Sequence, residues 1–180
     1  ERCIKRMQRL DCKMIRVMSY RVEHDAPSYS DEDQQAEKRF AWMRDFVKRF
    51  TDAGITPVHE NCMNYGGMGP RQTLKMIENV PGLKLVYDTG NPVFTPLYDE
   101  GGNDGPRQSA WDFYHQVKEH IAYIHIKDGD YDPESGKKSF CWPGEGKGDV
   151  KRIVKDLLDN GYDGGISMEP HMAIVFDQDA

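Results

Sequence analysis

Residues 55–88 read ITPVHENCMNYGGMGPRQTLKMIENVPGLKLVYD, and the order they spell out is strand, helix, strand. ITPVHE (55–60) is a short apolar run that ends on an acid, and LKLVYD (83–88) repeats that plan. Between them Pro70 suits the first turn of a helix, and Pro81-Gly82 closes it after Val80. Strands joined through a helix pair in parallel, because parallel neighbours need a crossover.

The same unit recurs in both directions. Upstream lie an amphipathic helix over 1–10 and a strand KMIRVMS over 13–19. Ser30 then reads as an N-cap, with Asp31, Glu32 and Asp33 in the first turn. Phe40, Trp42, Met43, Phe46, Val47 and Phe50 follow at near-helical spacing, a core-packing stripe that Gly54 terminates. Downstream, a Gly/Asp/Pro-rich loop around 100–106 leads into a helix through Trp111, Tyr114 and Val117, then the strand IAYIHI (121–126). Asp149 caps a helix over 150–160 that Gly161 ends, and GISME (165–169) is the fifth strand.

Mid-strand positions 17, 58, 86, 124 and 167 lie 28 to 43 residues apart, near the ~31 per unit of a (β/α)8 barrel. No Gly-x-Gly-x-x-Gly and no P-loop follows any strand, which argues against a nucleotide-binding doubly wound sheet. The predicted fold class is α/β, a TIM barrel. Residues 1–180 form one domain holding the C-terminal five β/α units, with the first three missing. Five strands leave two open sheet edges, so the segment alone is expected to be marginal or prone to aggregate.

Composition narrows the function. The 180 residues carry 24 Lys+Arg against 30 Asp+Glu, a net charge of −6 and a pI near 5.5. That disfavours a nucleic-acid-coating role. No run approaches a membrane span and no signal-peptide pattern opens the chain. Cys3, Cys12, Cys62 and Cys141 form no CxxC pair and read as reduced thiols, which suits a cytoplasmic protein.

Four residues able to bind a metal end four successive strands: Glu60, Asp88, His125 and Glu169. Catalytic groups of a barrel converge at that end. Two residues back stand Val58, Val86, Tyr123 and Ser167, which share each ligand's face and suit a filled barrel interior. Three carboxylates and an imidazole fit one divalent ion: Mn²⁺, Mg²⁺, Co²⁺ or Zn²⁺. Lys127 shares the parity of His125 and is placed to hold a substrate oxygen, unless it is only a solvated strand-end lysine. Asp128 has opposite parity and suits orienting the loop. Glu145 lies in a Gly-rich turn, and His171 follows Glu169 by two residues. His59 has the wrong parity for the pocket.

VHEN (58–61), VYDTG (86–90), YIHIKD (123–128), GEGKGD (144–149) and ISMEPH (166–171) together resemble the xylose isomerase-like (β/α)8 barrel superfamily. Within it, the sugar phosphate isomerase/epimerase group is the most similar. The resemblance implies a divalent-metal-dependent isomerase or epimerase acting on a small sugar or polyol-derived substrate. Its metal would be held by Glu60, Asp88, His125 and Glu169. Glu60 and Glu169 would act as acid and base through an enediolate, and Lys127, Asn91, His171 and Glu145 would be substrate contacts. A homo-oligomer is compatible with the resemblance.

Many relatives carry a histidine where Asn91 stands, which puts a second metal in doubt and, with the net charge, disfavours the family's DNA-repair endonuclease. A dehydratase of a keto-inositol or keto-sugar, and a non-catalytic sugar-binding relative, are the competing expectations.

Overall fold

A computed structural model describes residues 1–99, 101–169 and 171. The strands that carry the site are β1 (Met14–Val17), β2 (Thr56–Glu60), β3 (Lys84–Asp88), β6 (Ile121–Ile126) and β9 (Gly165–Met168). They form one parallel sheet in the order β1-β2-β3-β6-β9. The helices are α1 (Arg2–Arg9), α2 (Ala36–Asp52), α3 (Pro70–Asn79), the single turn α4 (Asn91–Phe94), α5 (Ala110–Val117) and α6 (Val150–Asp159). This is the five-unit part of a TIM barrel that the sequence predicts.

The core lies between sheet and helices. Phe40, Met43 and Val47 of α2, Met76 of α3, Phe113 and Tyr114 of α5 and Ile153 of α6 are buried against Leu85, Tyr87 and Ile124 of the strands. His59 sits on that side too: it is in register with Val17 and Leu85 and completely buried. Val58, Val86, Tyr123 and Ser167 face the other way and line a lumen cavity of about 240 Å³ with Arg16 and His125. The alternation read from the sequence therefore holds.

Two helix caps expected from the sequence are absent. Ser30 does not cap α2. Its hydroxyl accepts from Asp33 N at 3.3 Å within a run of turns, and the helix starts six residues later, at Ala36. A left-handed Gln35 (φ 52°) separates the two. Asp149 does precede α6, but it is left-handed (φ 50°) and its side chain caps nothing.

The loops after β3 and β6 are folded into antiparallel hairpins, β4 (Pro96–Tyr98) with β5 (Asp104–Arg107) and β7 (Gly129–Tyr131) with β8 (Lys138–Phe140). Part of the loop expected around 100–106 is thus strand, and Glu100 lies outside the described residues. Gly54 and Gly161 end α2 and α6 at φ 73° and 74°, a backbone region glycine enters without Cβ strain.

Asp31, in those turns, ties the first loop to α3. It receives the Tyr65 hydroxyl, the Lys75 ammonium and, at 3.5 Å, Arg71. Burial alone would raise its carboxyl, but Lys75, Tyr65 and Arg71 together hold it below the usual carboxylate range. A depressed acid contributes stability that is complete above its unfolded value of 3.8 and fades as pH falls through the lower folded value. Asp31→Asn should therefore lower the melting temperature near neutral pH. The gap to wild type should close in scans below 3.8, and an undiminished gap there would contradict this account.

Candidate metal centre

Each candidate ligand is placed by its strand and then fixed by neighbours. Glu60, the last residue of β2, is nearly buried. Its Oε1 lies 3.0 Å from His125 Nδ1 and its Oε2 accepts from Arg16 Nη1 at 2.6 Å. Asp88 ends β3 and is completely buried. Its Oδ1 accepts from the backbone N–H of Gly90 at 2.9 Å and of Asn91 at 2.7 Å, which turns Oδ2 toward the cluster. Asn61 locks the same strand end, accepting from Asp88 N at 2.6 Å and donating to Asp88 O at 2.9 Å.

His125 is the register partner of both Asp88 and Ser167. Glu169 follows β9 and donates its N–H to Ile126 O at 2.9 Å. Its half-exposed carboxylate stands 3.5 Å from His125 Nδ1.

One ligand atom from each of Glu60, Asp88, His125 and Glu169 lies within 4.8 Å of the other three. Three carboxylates this close repel one another unless cations intervene. Two are supplied by the chain: Arg16 on Glu60, and Lys127, whose Nζ is 2.8 Å from Asp88 Oδ2 and 3.4 Å from Glu169 Oε2. Burial pushes the Asp88 carboxyl up to about 7, with Lys127 opposing and the neighbouring Glu169 adding to the rise. Glu169 is held lower: burial would raise it, and Asp88, Lys127 and His125 outweigh that. The hydrogen bond to Glu60 raises His125 against the effect of burial.

The donor set fits a hard divalent cation. Asp88 Oδ2 is buried without a well-aligned hydrogen bond, and a carboxylate so placed is completed by a metal or an ammonium. Outer partners that orient ligands, as Gly90, Asn91 and Asn61 do for Asp88, are typical of such sites.

The other sequence candidates fall in different places. Lys127 is 5% exposed, so it is not a solvated strand-end lysine. Asn91 spends its amide on Asn61 O at 2.8 Å and so braces the strand end. His171 stacks on Phe140, ring centroids 4.8 Å apart, with its Nε2 3.9 Å from Glu169 Oε1. Glu145 is exposed on its loop.

Asp128 does orient that loop: its carboxylate accepts from the N–H groups of Gly144 at 2.7 Å, Gly146 at 3.1 Å and Gly148 at 2.8 Å. The sequence reading missed Arg16, Asn61 and Thr89, whose hydroxyl donates to Lys127 O at 2.6 Å. Arg16 was findable, because it pairs with Val58 and shares the lumen face.

A family profile described as Xylose isomerase-like TIM barrel matches residues 1–178. No curated protein sequence matches the chain. A xylose isomerase domain protein from Planctomyces limnophilus superposes with TM-score 0.69 at 19% identity, over 97% of this chain and 58% of that one. The probable 3-DHS dehydratase from Bacillus anthracis gives 0.68 at 17%, over 93% and 61%. D-psicose 3-epimerase from Clostridium cellulolyticum, solved with D-tagatose, gives 0.61 at 18%, over 93% and 53%. The chain thus spans little more than half the length of these structures.

Proposed function

This chain belongs to the xylose isomerase-like TIM barrel family, and from that premise we propose that it carries the metal-binding face of a divalent-metal-dependent sugar isomerase or epimerase. The observation that supports the reading is the convergence of Glu60, Asp88, His125 and Glu169 from four neighbouring strands to within 4.8 Å. These four would hold the ion, which when bound supplies Lewis acidity toward adjacent carbonyl and hydroxyl oxygens.

The chain's own groups do the rest. Glu169, half exposed, takes a proton from the carbon beside the substrate carbonyl, and Glu60 faces it across the cluster as the partner acid. The Lys127 ammonium, on a buried stem, lies beside Asp88 and Glu169. It offsets the negative charge that develops on a substrate oxygen. His171 and Phe140 provide a flat apolar wall next to Glu169, suited to the C–H face of a sugar.

A dehydratase acting on a keto-sugar is the second reading. It is favoured by the asymmetry of the two glutamates: both Glu60 oxygens are engaged, by His125 and Arg16, while Glu169 is more open. One accessible base suffices for removing a proton before a β-hydroxyl leaves. Product analysis separates the two reactions.

The test is Mn²⁺ titration of the protein followed by electron paramagnetic resonance. Wild type should bind one ion. Asp88→Asn should bind more weakly by at least the roughly 10–100-fold seen when even an outer partner of a metal site is lost. A wild-type protein that binds no divalent ion would overturn the reading.

A further inference from the structure

Gly90 follows Asp88 by two residues, and no demand of the backbone requires a glycine there. Its φ of −89° and ψ of −31° are ordinary right-handed values that alanine adopts freely. A Cβ at Gly90, however, would stand 2.7 Å from Lys127 Cγ and 3.1 Å from Lys127 Cβ and C. These atoms form the root of the lysine stem, so they cannot swing aside as a side-chain tip can.

The lysine backbone is held as well. Thr89 Oγ1 donates to Lys127 O at 2.6 Å and accepts from Lys127 N at 3.0 Å. Behind it, a Cβ at Gly148 would come within 3.2 Å of Lys127 O. Stem and backbone are thus both seated by the two residues that follow Asp88.

We propose that Thr89 and Gly90 are positioning residues for Lys127. Thr89 clamps its main chain, and the absent Gly90 side chain leaves the groove along which the stem runs to bring Nζ 2.8 Å from Asp88 Oδ2. The functional half of this assignment rests on the reading of Lys127 as the ammonium facing the substrate's developing oxyanion. The structural half does not.

Gly90→Ala, Lys127→Ala and the double variant form a cycle with two readouts. One is the urea midpoint of the metal-free protein. The other is solvent-deuterium exchange into a panel of ketoses with Mn²⁺ present.

Gly90→Ala should lower the midpoint and cut kcat for exchange on the order of 10–100-fold, the scale of an ångström-level misplacement, with KM moving far less. In the Lys127→Ala background the kcat effect should vanish with the ammonium, and the midpoint effect should shrink, because the 2.7 Å contact with Cγ is gone while the 3.1 Å contacts with Cβ and C remain. Thr89→Val should reproduce the kcat loss and Thr89→Ser should restore most of it, which also decides the matter if the double variant does not fold. A Gly90→Ala cost equal in both backgrounds, or a Thr89→Val protein with wild-type kcat, would overturn the proposal. If wild type exchanges no proton from any ketose, the isomerase reading fails instead. The urea cycle still reports whether Gly90 and Lys127 are coupled.

Discussion

Glu169→Gln should slow exchange of the substrate C–H with solvent deuterium by about 10²–10⁴-fold, the range attributed to a positioned general base. The geometry singles out this carboxylate over Glu60. Glu60 is nearly buried, with one oxygen 3.0 Å from His125 Nδ1 and the other bonded to Arg16 at 2.6 Å. The ion-pair contacts of Glu169 are longer, 3.4 Å to Lys127 and 3.5 Å to His125, and over a third of its side chain is exposed. A base must approach the carbon it deprotonates, and Glu169 is the freer of the two glutamates to do so. Glutamine keeps the size and one coordinating oxygen, so Mn²⁺ occupancy is to be measured on the same sample. Exchange that persists at the wild-type rate in a fully loaded variant would remove Glu169 from the reaction.

The positions of the four candidate ligands are legible in the sequence because they depend on short-range regularities. A strand alternates faces every residue, so Val58 and Glu60, or Val86 and Asp88, share a side wherever the strand is placed. Convergence then follows from parallel register, which pairs Glu60 with Val86 and Asp88 with His125.

What escaped the sequence depends on contacts between loops. Asp104–Arg107 (DGPR) contains a glycine and a proline and has no β-branched residue, so nothing local marks it as a strand. It is one because it pairs with Pro96–Tyr98. Ser30 has the chemistry of a cap, but Asp31 is drawn to Tyr65 and Lys75 instead, and the chain makes further turns before α2 begins. The family resemblance implies Asn91 as a substrate contact, and nothing local foretells the partner of its side-chain amide. That amide donates to Asn61 O, whose proximity only the fold creates.

Lys127 shows the same division, and its removal should have the largest effect on stability. Parity put its side chain beside that of His125, but not its burial or its partner. The side chain is 6% exposed and that of Asp88 is 0% exposed, so solvent screens the pair little. Removing one member of a buried pair typically costs about 3–5 kcal/mol, because the other is left as an uncompensated charge. Asp88 can escape part of that cost by taking up a proton, which places Lys127→Met near the lower limit. For a chain of this size that corresponds to a fall in melting temperature on the order of 10 °C without metal.

The ammonium and a bound divalent ion would both neutralise Asp88 and Glu169, and they would repel each other. Mn²⁺ should therefore stabilise Lys127→Met by more than it stabilises wild type. Saturation at about 100 times the dissociation constant adds about 2.7 kcal/mol, enough to recover most of the loss. Melting both proteins with Mn²⁺ and with a chelator checks this. Equal metal-induced shifts would mean that the lysine does not balance the cluster, and that its closeness to Asp88 has no bearing on the ion.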